Sequence, residues 1–404
     1  MIEWSEQHRA IRDAFRRFVE KEIVPRREEL EHGDLPPYDV LRKMFETFGL
    51  RDMALARFAA DLERTPKPES DEIKPNPAAG EMMAMQMIPI VELSRHSPGM
   101  VTALGVSAGL TAGTIMSKGT RAQKERWARD LLTLDKIGAW AITEPGSGSD
   151  AFGSMKASAR RDGDGYLLNG NKTFITNGPY ADTIVFICKL DEGNDPKDRK
   201  VLSFVLERGM SGLEQSKPLR KMGMHSSPTG ELFLSDVRVD KDRLLGETED
   251  ISYRTGAKDT FKAERTGVVA MALGIVERCL ELSVEYAKTR VQFGRPIGEF
   301  QLIQLKLAKM EVARMNIQNL AYRIIELTGA GKKMSLAEAS ACKLYCAGAA
   351  MEVALEAVQL FGGNGYMAEY QVEQLARDAK VLQIYGGTDE IQVSQIARSL
   401  MRDA

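Results

Sequence analysis

The sequence predicts an α+β chain of three parts: an N-terminal α-helical domain over residues 1–138, a middle antiparallel β domain over 139–250, and a C-terminal four-helix bundle over 251–404. Three observations carry this. At 404 residues the chain is too long for one ordinary core. Both ends place apolar residues at helical spacing. Between Gly138 and about Glu247, runs of Val, Ile, Leu and Phe alternate with Gly- and Asp-rich turns, the texture of strands.

The elements follow in order. From Glu6 to Pro25, Ile11, Phe15, Phe18 and Val19 fall on one helical face. Val40 to Leu50 is a second helix, closed at Gly49. Thr65 to Gly80 is rich in proline and polar residues and reads as loop. Glu81–Ser94 and Val101–Lys118 return to helical composition, and the small residues of Ala103 to Gly113 read as a close helix-packing surface. In the middle part, Tyr166 to Ile175 reads as two strands around an Asn169-Gly170 turn, with Asp162 to Gly165 punctuating the preceding pair. Thr183–Leu190, Lys200–Leu206 and Glu231–Val239 are further strands. Amphipathic segments over about 260–290, 299–329, 335–361 and 371–380, and a last one from about 388, build the bundle. Asp259 and Thr260 are candidate N-caps for the first of these, which would make Glu264 an ordinary first-turn acid.

Composition narrows the function. Hydrophobic residues make 43% of the chain and charged ones 28%, as in a soluble globular protein. A net charge of −2 gives no electrostatic drive toward nucleic acid or an anionic membrane. Arg9, Arg12, Arg16, Arg17, Arg26 and Arg27 are interleaved with acids and read as a solvated helix face. Cys188, Cys279, Cys342 and Cys346 lack paired metal spacing, so free thiols in a reducing compartment and no metal are expected. Met1 to Glu6 lacks the pattern of a signal peptide, and no apolar run reads as long enough to span a bilayer, so a cytoplasmic place is expected.

Three motifs carry chemistry. Ala141 to Asp150 reads Ala-Ile-Thr-Glu-Pro-Gly-Ser-Gly-Ser-Asp, Gln359 to Tyr366 reads Gln-Leu-Phe-Gly-Gly-Asn-Gly-Tyr, and Ile384 to Gln392 reads Ile-Tyr-Gly-Gly-Thr-Asp-Glu-Ile-Gln. With the α, β, α order, these resemble the acyl-CoA dehydrogenase family over nearly the whole chain. Many members carry a catalytic glutamate where Gly386 stands. The isovaleryl-CoA and long-chain types have Gly there and take the base from an earlier helix, at the position of Glu264.

The resemblance implies FAD-dependent α,β-dehydrogenation of an acyl-CoA to the trans-2-enoyl-CoA, with electrons passed to an electron-transfer flavoprotein in fatty acid β-oxidation. Glu264 is then the base. Gly386 supplies a backbone N–H to the thioester oxygen, with the flavin ribityl chain as the other donor. Ser149, Arg265 and Tyr385 are expected on the substrate. FAD is expected against Trp140, Ile142 and Thr143, against Phe174 (at a place often held by Trp) and Thr176, and with Ser149 near its phosphates or the CoA arm. Arg290, Gln292, Phe293 and Gln301 resemble the segment that grips its pyrophosphate and adenosine. Gln359, Gly362 and Gly363 match a segment reaching FAD from a neighbouring subunit, which implies a homodimer or homotetramer. Thr388 and Glu390 open a helix whose free N–H groups suit phosphate, Glu390 through its backbone.

Two departures stand out. Gln374 replaces the family's usual Lys or Arg, beside a retained Arg377-Asp378, and the family's glycine-rich stretch is missing from residues 51–100. The position of the base and the small-sided Ala103–Gly113 segment favour a long or branched acyl chain. Other readings keep the fold and change the chemistry: an acyl-CoA oxidase, a flavin monooxygenase, or a non-catalytic flavin- or CoA-binding protein.

Overall fold

Ser5 starts the first helix, its hydroxyl accepting the His8 N–H at 3.1 Å ahead of Glu6–Glu22. The computed structural model describes residues 3–32, 35–63, 74–250 and 253–402, and the side chains of all of these but 253–263. Most of the proline-rich stretch lies outside these residues. Its end is not loop: Pro77–Ser94 is helical from its first residue, capped by Asn76.

Helices Tyr38–Thr47, Leu50–Glu63, Pro77–Ser94 and Pro98–Lys118 complete the N-terminal part with a broken helical run over 121–132. Gly49, at φ +63°, makes the turn that the sequence assigns to it. The basic face of the first helix is only partly solvated. Arg12 bonds Glu92 at 2.5 Å and also pairs with Glu277, and Arg16 holds Glu92 at 3.0 Å, so two of these cations tie the first helix to Pro77–Ser94 and to the bundle. Their period suits a surface, but acids from elsewhere in the chain meet them, and sequence spacing does not show that.

The middle domain is a seven-stranded sheet in the order β1-β4-β2-β3-β7-β6, with β5 also on β4. The strands are β1 Gly138–Ala141, β2 Ser158–Asp162, β3 Gly165–Thr176, β4 Thr183–Leu190, β5 Val201–Glu207, β6 Leu213–Gln215 and β7 Thr229–Asp240. Two findings depart from expectation. β4 runs parallel to both β1 and β2, so the sheet is mixed. The Asn169-Gly170 pair is not a hairpin: it is an irregularity inside one twelve-residue strand, where the register to β7 shifts. A Cβ on Gly170 would lie 2.7 Å from the Ala157 backbone, so glycine is needed there for close approach.

The bundle consists of Tyr253–Thr289, Gln301–Gly329, Leu336–Phe361 and Gln371–Val381, followed by Asp389–Leu400. The first of these starts six residues before the expected caps. Glu264 therefore sits about three turns inside a helix and has no first-turn capping role. Helix Pro77–Ser94 packs into the bundle so closely that a Cβ on Gly274 would meet Val91 O at 2.2 Å. One apolar core thus spans N- and C-terminal helices, while a second lies under the sheet around Trp127, Phe186 and Phe204.

Buried polar contacts fix the junction between the parts. Asn177 donates to Ala103 O and Gly138 O, both at 2.9 Å, and accepts from the Tyr38 hydroxyl at 3.0 Å. Gln374 donates to His96 O at 2.9 Å and to Asp378 at 3.2 Å, and the Met224 N–H is a second donor to this buried carboxyl, whose pKa burial raises. Arg377 pairs with Glu373 at 2.6 Å.

Two helices, Pro98–Lys118 and Leu336–Tyr366, are long and apolar enough to cross a membrane by length and composition, which the sequence reading did not anticipate. Half of each apolar window is buried within the protein. All four cysteines are free and buried, and no cluster able to hold a metal occurs among the described residues.

Candidate functional site

The turn Tyr385-Gly386-Gly387 links helix Gln371–Val381 to helix Asp389–Leu400. Gly386 and Gly387 take φ of +63° and +88°, the left-handed region that favours glycine. The Gln392 amide holds the turn, donating to Gly386 O at 3.0 Å and to Gly387 O at 2.7 Å. Both glycine carbonyls are engaged and the Tyr385 N–H donates to Val381 O at 3.0 Å, whereas no carbonyl of the described residues takes the Gly386 N–H.

Glu264 meets this turn from the long bundle helix. A Cβ on Gly386 would lie 3.4 Å from Glu264 Cδ and 3.6 Å from its Oε1. The carboxyl therefore occupies the neighbourhood into which a side chain at 386 would project. Desolvation pushes the Glu264 carboxyl up to about 7, against the opposing pull of Arg265 and then Lys343. The site thus joins an N–H donor to a carboxyl group poised to exchange a proton near neutrality.

A buried cation network backs the turn. Lys343, with no exposed side-chain surface, bonds Asp389 at 3.1 Å, and Asp389 also accepts from Gln383 at 3.0 Å. Burial pulls the Lys343 ammonium below its usual range, and Asp389 opposes that pull. Arg265 is buried and donates to Ser340 at 3.0 Å, and a Cβ on Gly387 would lie 3.7 Å from its Nη2. That places Arg265 behind the turn, with its Nε buried and unpartnered among the described residues. The Tyr385 hydroxyl lies 3.5 Å from Thr102 Oγ1 and donates to Met271 Sδ at 3.3 Å.

The second group of expected residues gathers at an edge formed by the end of β1 and the end of β3. Ile142 O accepts from Lys172 at 2.9 Å and Thr143 O from the Thr173 N–H at 3.0 Å, which leaves their N–H groups as the donors on offer. Phe174, at φ +57°, is 69% exposed beside the partly buried Thr176. An exposed ring held in a strained backbone conformation marks a place prepared for a ligand. Trp140 Nε1 is buried without a partner among the described residues. An aromatic face, an orphan donor and free backbone N–H groups fit a flat heteroaromatic ring with several acceptors, and so fit the isoalloxazine of FAD. Ser149 lies exposed on the loop beyond.

Glu144 anchors that loop. Its carboxylate accepts from Lys156 N at 2.7 Å, from Ala157 N at 2.9 Å and from Lys172 Nζ at 2.9 Å, the last two contacts being buried. The sequence reading took this loop for backbone contacts and missed the Glu144–Lys172 pair. Lys343 and Gln392 were missed as well. A lone lysine in the apolar Leu336–Phe361 helix was the signal for the first, whereas Gln392 gave none.

The remaining expected residues form a separate group. Arg290, Gln292 and Phe293 lie on the exposed two-stranded hairpin of β8 Val291–Gln292 and β9 Arg295–Pro296, with Gln301 opening the next helix. Phe293 is 93% exposed. Gln359, Gly362 and Gly363 are exposed at the end of Leu336–Phe361. Tyr286 joins the two segments, stacking on Phe361 at 4.0 Å and accepting from Asn364 at 3.0 Å. The described hydrogen bonds and ring contacts do not connect this group to the Trp140–Thr176 edge within one chain. Thr388 caps Asp389–Leu400, accepting from Ile391 N at 3.4 Å, and Glu390 is exposed in its first turn.

Comparison with known proteins agrees with this arrangement along the chain. Residues 5–56, 139–237 and 255–401 match the family models for the N-terminal, middle and C-terminal domains of acyl-CoA dehydrogenase. An acyl-CoA dehydrogenase of Bacillus subtilis is 37% identical, covering 97% of each chain. A 3-(aryl)acrylate reductase of Clostridium sporogenes is 36% identical over 99% of this chain and 100% of its own. Among solved structures, butyryl-CoA dehydrogenase from Megasphaera elsdenii superposes with a TM-score of 0.85 at 33% identity, covering 100% of both chains.

Proposed function

This chain belongs to the acyl-CoA dehydrogenase family of FAD-dependent enzymes, and we propose that it desaturates a branched acyl-CoA with Glu264 as the base. The single observation that carries this is the convergence of the Glu264 carboxyl on the Gly386 turn. FAD, held at the Trp140–Thr176 edge, would supply the acceptor for the hydride lost from the β-carbon.

The protein's own groups account for the other half of the reaction. The α C–H is a weak acid, so its loss requires both a base and stabilisation of the negative charge that grows on the thioester oxygen. Glu264, ionised above about pH 7, takes the proton. The Gly386 N–H, held by the Gln392 clamp on the carbonyl side of the turn, donates to the oxygen. The N–H groups of Ile142 and Thr143 and the faces of Trp140 and Phe174 hold and orient the cofactor. Gln359, Gly362 and Gly363 lie on an exposed surface apart from that edge. This supports a site completed by a second copy in a homodimer or homotetramer. Electron-transfer flavoprotein is the proposed acceptor.

Anaerobic addition of acyl-CoAs to the yellow holoprotein tests the reading. Bleaching of the flavin by branched acyl-CoAs supports it, and a flavin that no acyl-CoA bleaches contradicts it. The relative from Clostridium sporogenes adds an arm to the same test: a photoreduced flavin that is reoxidised by an arylacrylyl-CoA, with no bleaching by saturated thioesters, would indicate the reverse reaction.

Lys343 supplies a test through pH. Its charge lowers the Glu264 pKa, so Lys343→Met should move the acid limb of kcat/KM to higher pH by roughly half a pH unit or more. A limb that stays in place would separate Lys343 from the base.

A further inference from the structure

We propose that Met271, held by the Tyr385 hydroxyl with Thr102 beside it, is the end wall of the acyl pocket and restricts the substrate to short chains, with the gap at Gly267 accepting a methyl branch. This rests on the reading of Glu264 as the base.

Glu264, Gly267 and Met271 stand three and four residues apart on one helix, so they share a face. The middle position is open, because a Cβ on Gly267 would meet no atom within 4 Å. The far position is closed. Met271 is 5% exposed, and Tyr385, whose hydroxyl reaches its sulfur at 3.3 Å, immediately precedes the Gly386 turn. Thr102 Oγ1 lies 3.5 Å from the same hydroxyl. An acyl tail lying beside the base would therefore run along the helix from Glu264 across Gly267 and end at Met271.

The polar CoA arm must leave toward water, so the buried Met271 end is left to the acyl tail. Glu264 and Met271 are about 10 Å apart along the helix axis at ~1.5 Å per residue. The Glu264 and Met271 side chains both lean back toward the N-terminus, so their ends stay about 10 Å apart, and contact with the sulfur takes up roughly 4 Å of that. What remains is roughly 6 Å, the extent of about five backbone-like bonds. A linear chain as long as octanoyl meets sulfur, while a methyl group next to the reacting carbons falls into the space at Gly267. Of the long and branched substrates implied by the position of the base, this geometry favours the branched ones. Tyr385 stays a neutral donor, since burial pushes its phenol well above the usual range.

The test measures kcat/KM of the holoenzyme for butyryl-, isovaleryl-, 2-methylbutyryl- and octanoyl-CoA, with calorimetric binding of the corresponding 2-enoyl-CoAs. The expected order has butyryl and its methyl-branched homologues at least ten-fold above octanoyl. Met271→Ala should raise the octanoyl-to-butyryl ratio roughly 10- to 100-fold. Gly267→Val should lower the branched substrates at least ten-fold relative to butyryl, and gives a second answer if Met271→Ala fails to fold. A wild type that prefers octanoyl-CoA, or ratios unchanged in the variants, would overturn the proposal. Failure of the underlying reading looks different: enoyl-CoA binding would still show the length limit while no saturated thioester bleaches the flavin.

Discussion

Glu264→Gln is expected to lower turnover by roughly 10²- to 10⁴-fold while enoyl-CoA binding persists. The amide keeps the shape beside Gly386 and removes only the ability to take a proton. The glycine at 386 has no side chain to substitute for it, and a Cβ there would already lie 3.4 Å from Glu264 Cδ. Wild-type kcat/KM should rise with pH through about 7 as the carboxyl ionises, and the variant should lose that limb.

The same group predicts a stability effect of opposite sense. Burial lifts its folded pKa from the ordinary 4.5 to about 7, so the native state favours the protonated form. For this raised carboxyl, stability is highest below about pH 4.5 and falls as pH rises through 7. At pH 8 the Gln variant should therefore unfold less readily than wild type, by on the order of 1–3 kcal/mol, and the advantage should vanish near pH 4. Equal stability at both pH values would show that the carboxyl is better solvated than this geometry implies.

The second large effect is expected at Glu144. Alanine there removes the partner of the fully buried Lys172 and leaves the Lys156 and Ala157 N–H groups without their acceptor. Breaking a buried pair from one side costs about 3–5 kcal/mol, because an uncompensated charge stays inside. The lesion lies at the start of the loop that follows β1, so flavin should be lost along with stability. Thermal unfolding of apo- and holoprotein and the flavin content on purification check this. Glu144→Gln, which keeps the shape and an acceptor, should lie between. A Glu144→Ala protein that keeps its flavin and its melting temperature would make the pair dispensable.

Local pattern and the family motifs revealed different amounts of this molecule. Helical composition over long stretches located the bundle helices, although Tyr253–Thr289 is buried on all sides around Val268–Val276 and has no single apolar face. It failed at the start of Tyr253–Thr289, where capping-type residues at 259 and 260 lie inside the helix. The Asn169-Gly170 pair reads as a hairpin by turn chemistry, yet Gly170 is there for close approach of Ala157, just ahead of β2, a contact that local sequence does not display. Likewise, Gly105, Gly109 and Gly113 look like a helix-packing stripe, but a Cβ at any of them would meet no atom within 4 Å, and the helix winds through a π segment at Gly105–Thr111. In the site, Glu264 and Gly386 were legible through the motifs. The groups that fix them were not, because Lys343, Gln392 and Glu144 act through partners distant in sequence or look like ordinary surface residues.

Exchange of the α-hydrogen tests the central claim most directly. The holoenzyme would be incubated anaerobically in deuterated water with a butyryl thioester analogue whose β-carbon is replaced by sulfur, so that α-proton removal is possible and desaturation is not. The account predicts deuterium at the α-carbon with wild type, rising with pH through about 7, and almost none with Glu264→Gln. Equal exchange by both proteins would show that another group removes the proton, and would contradict the assignment of Glu264.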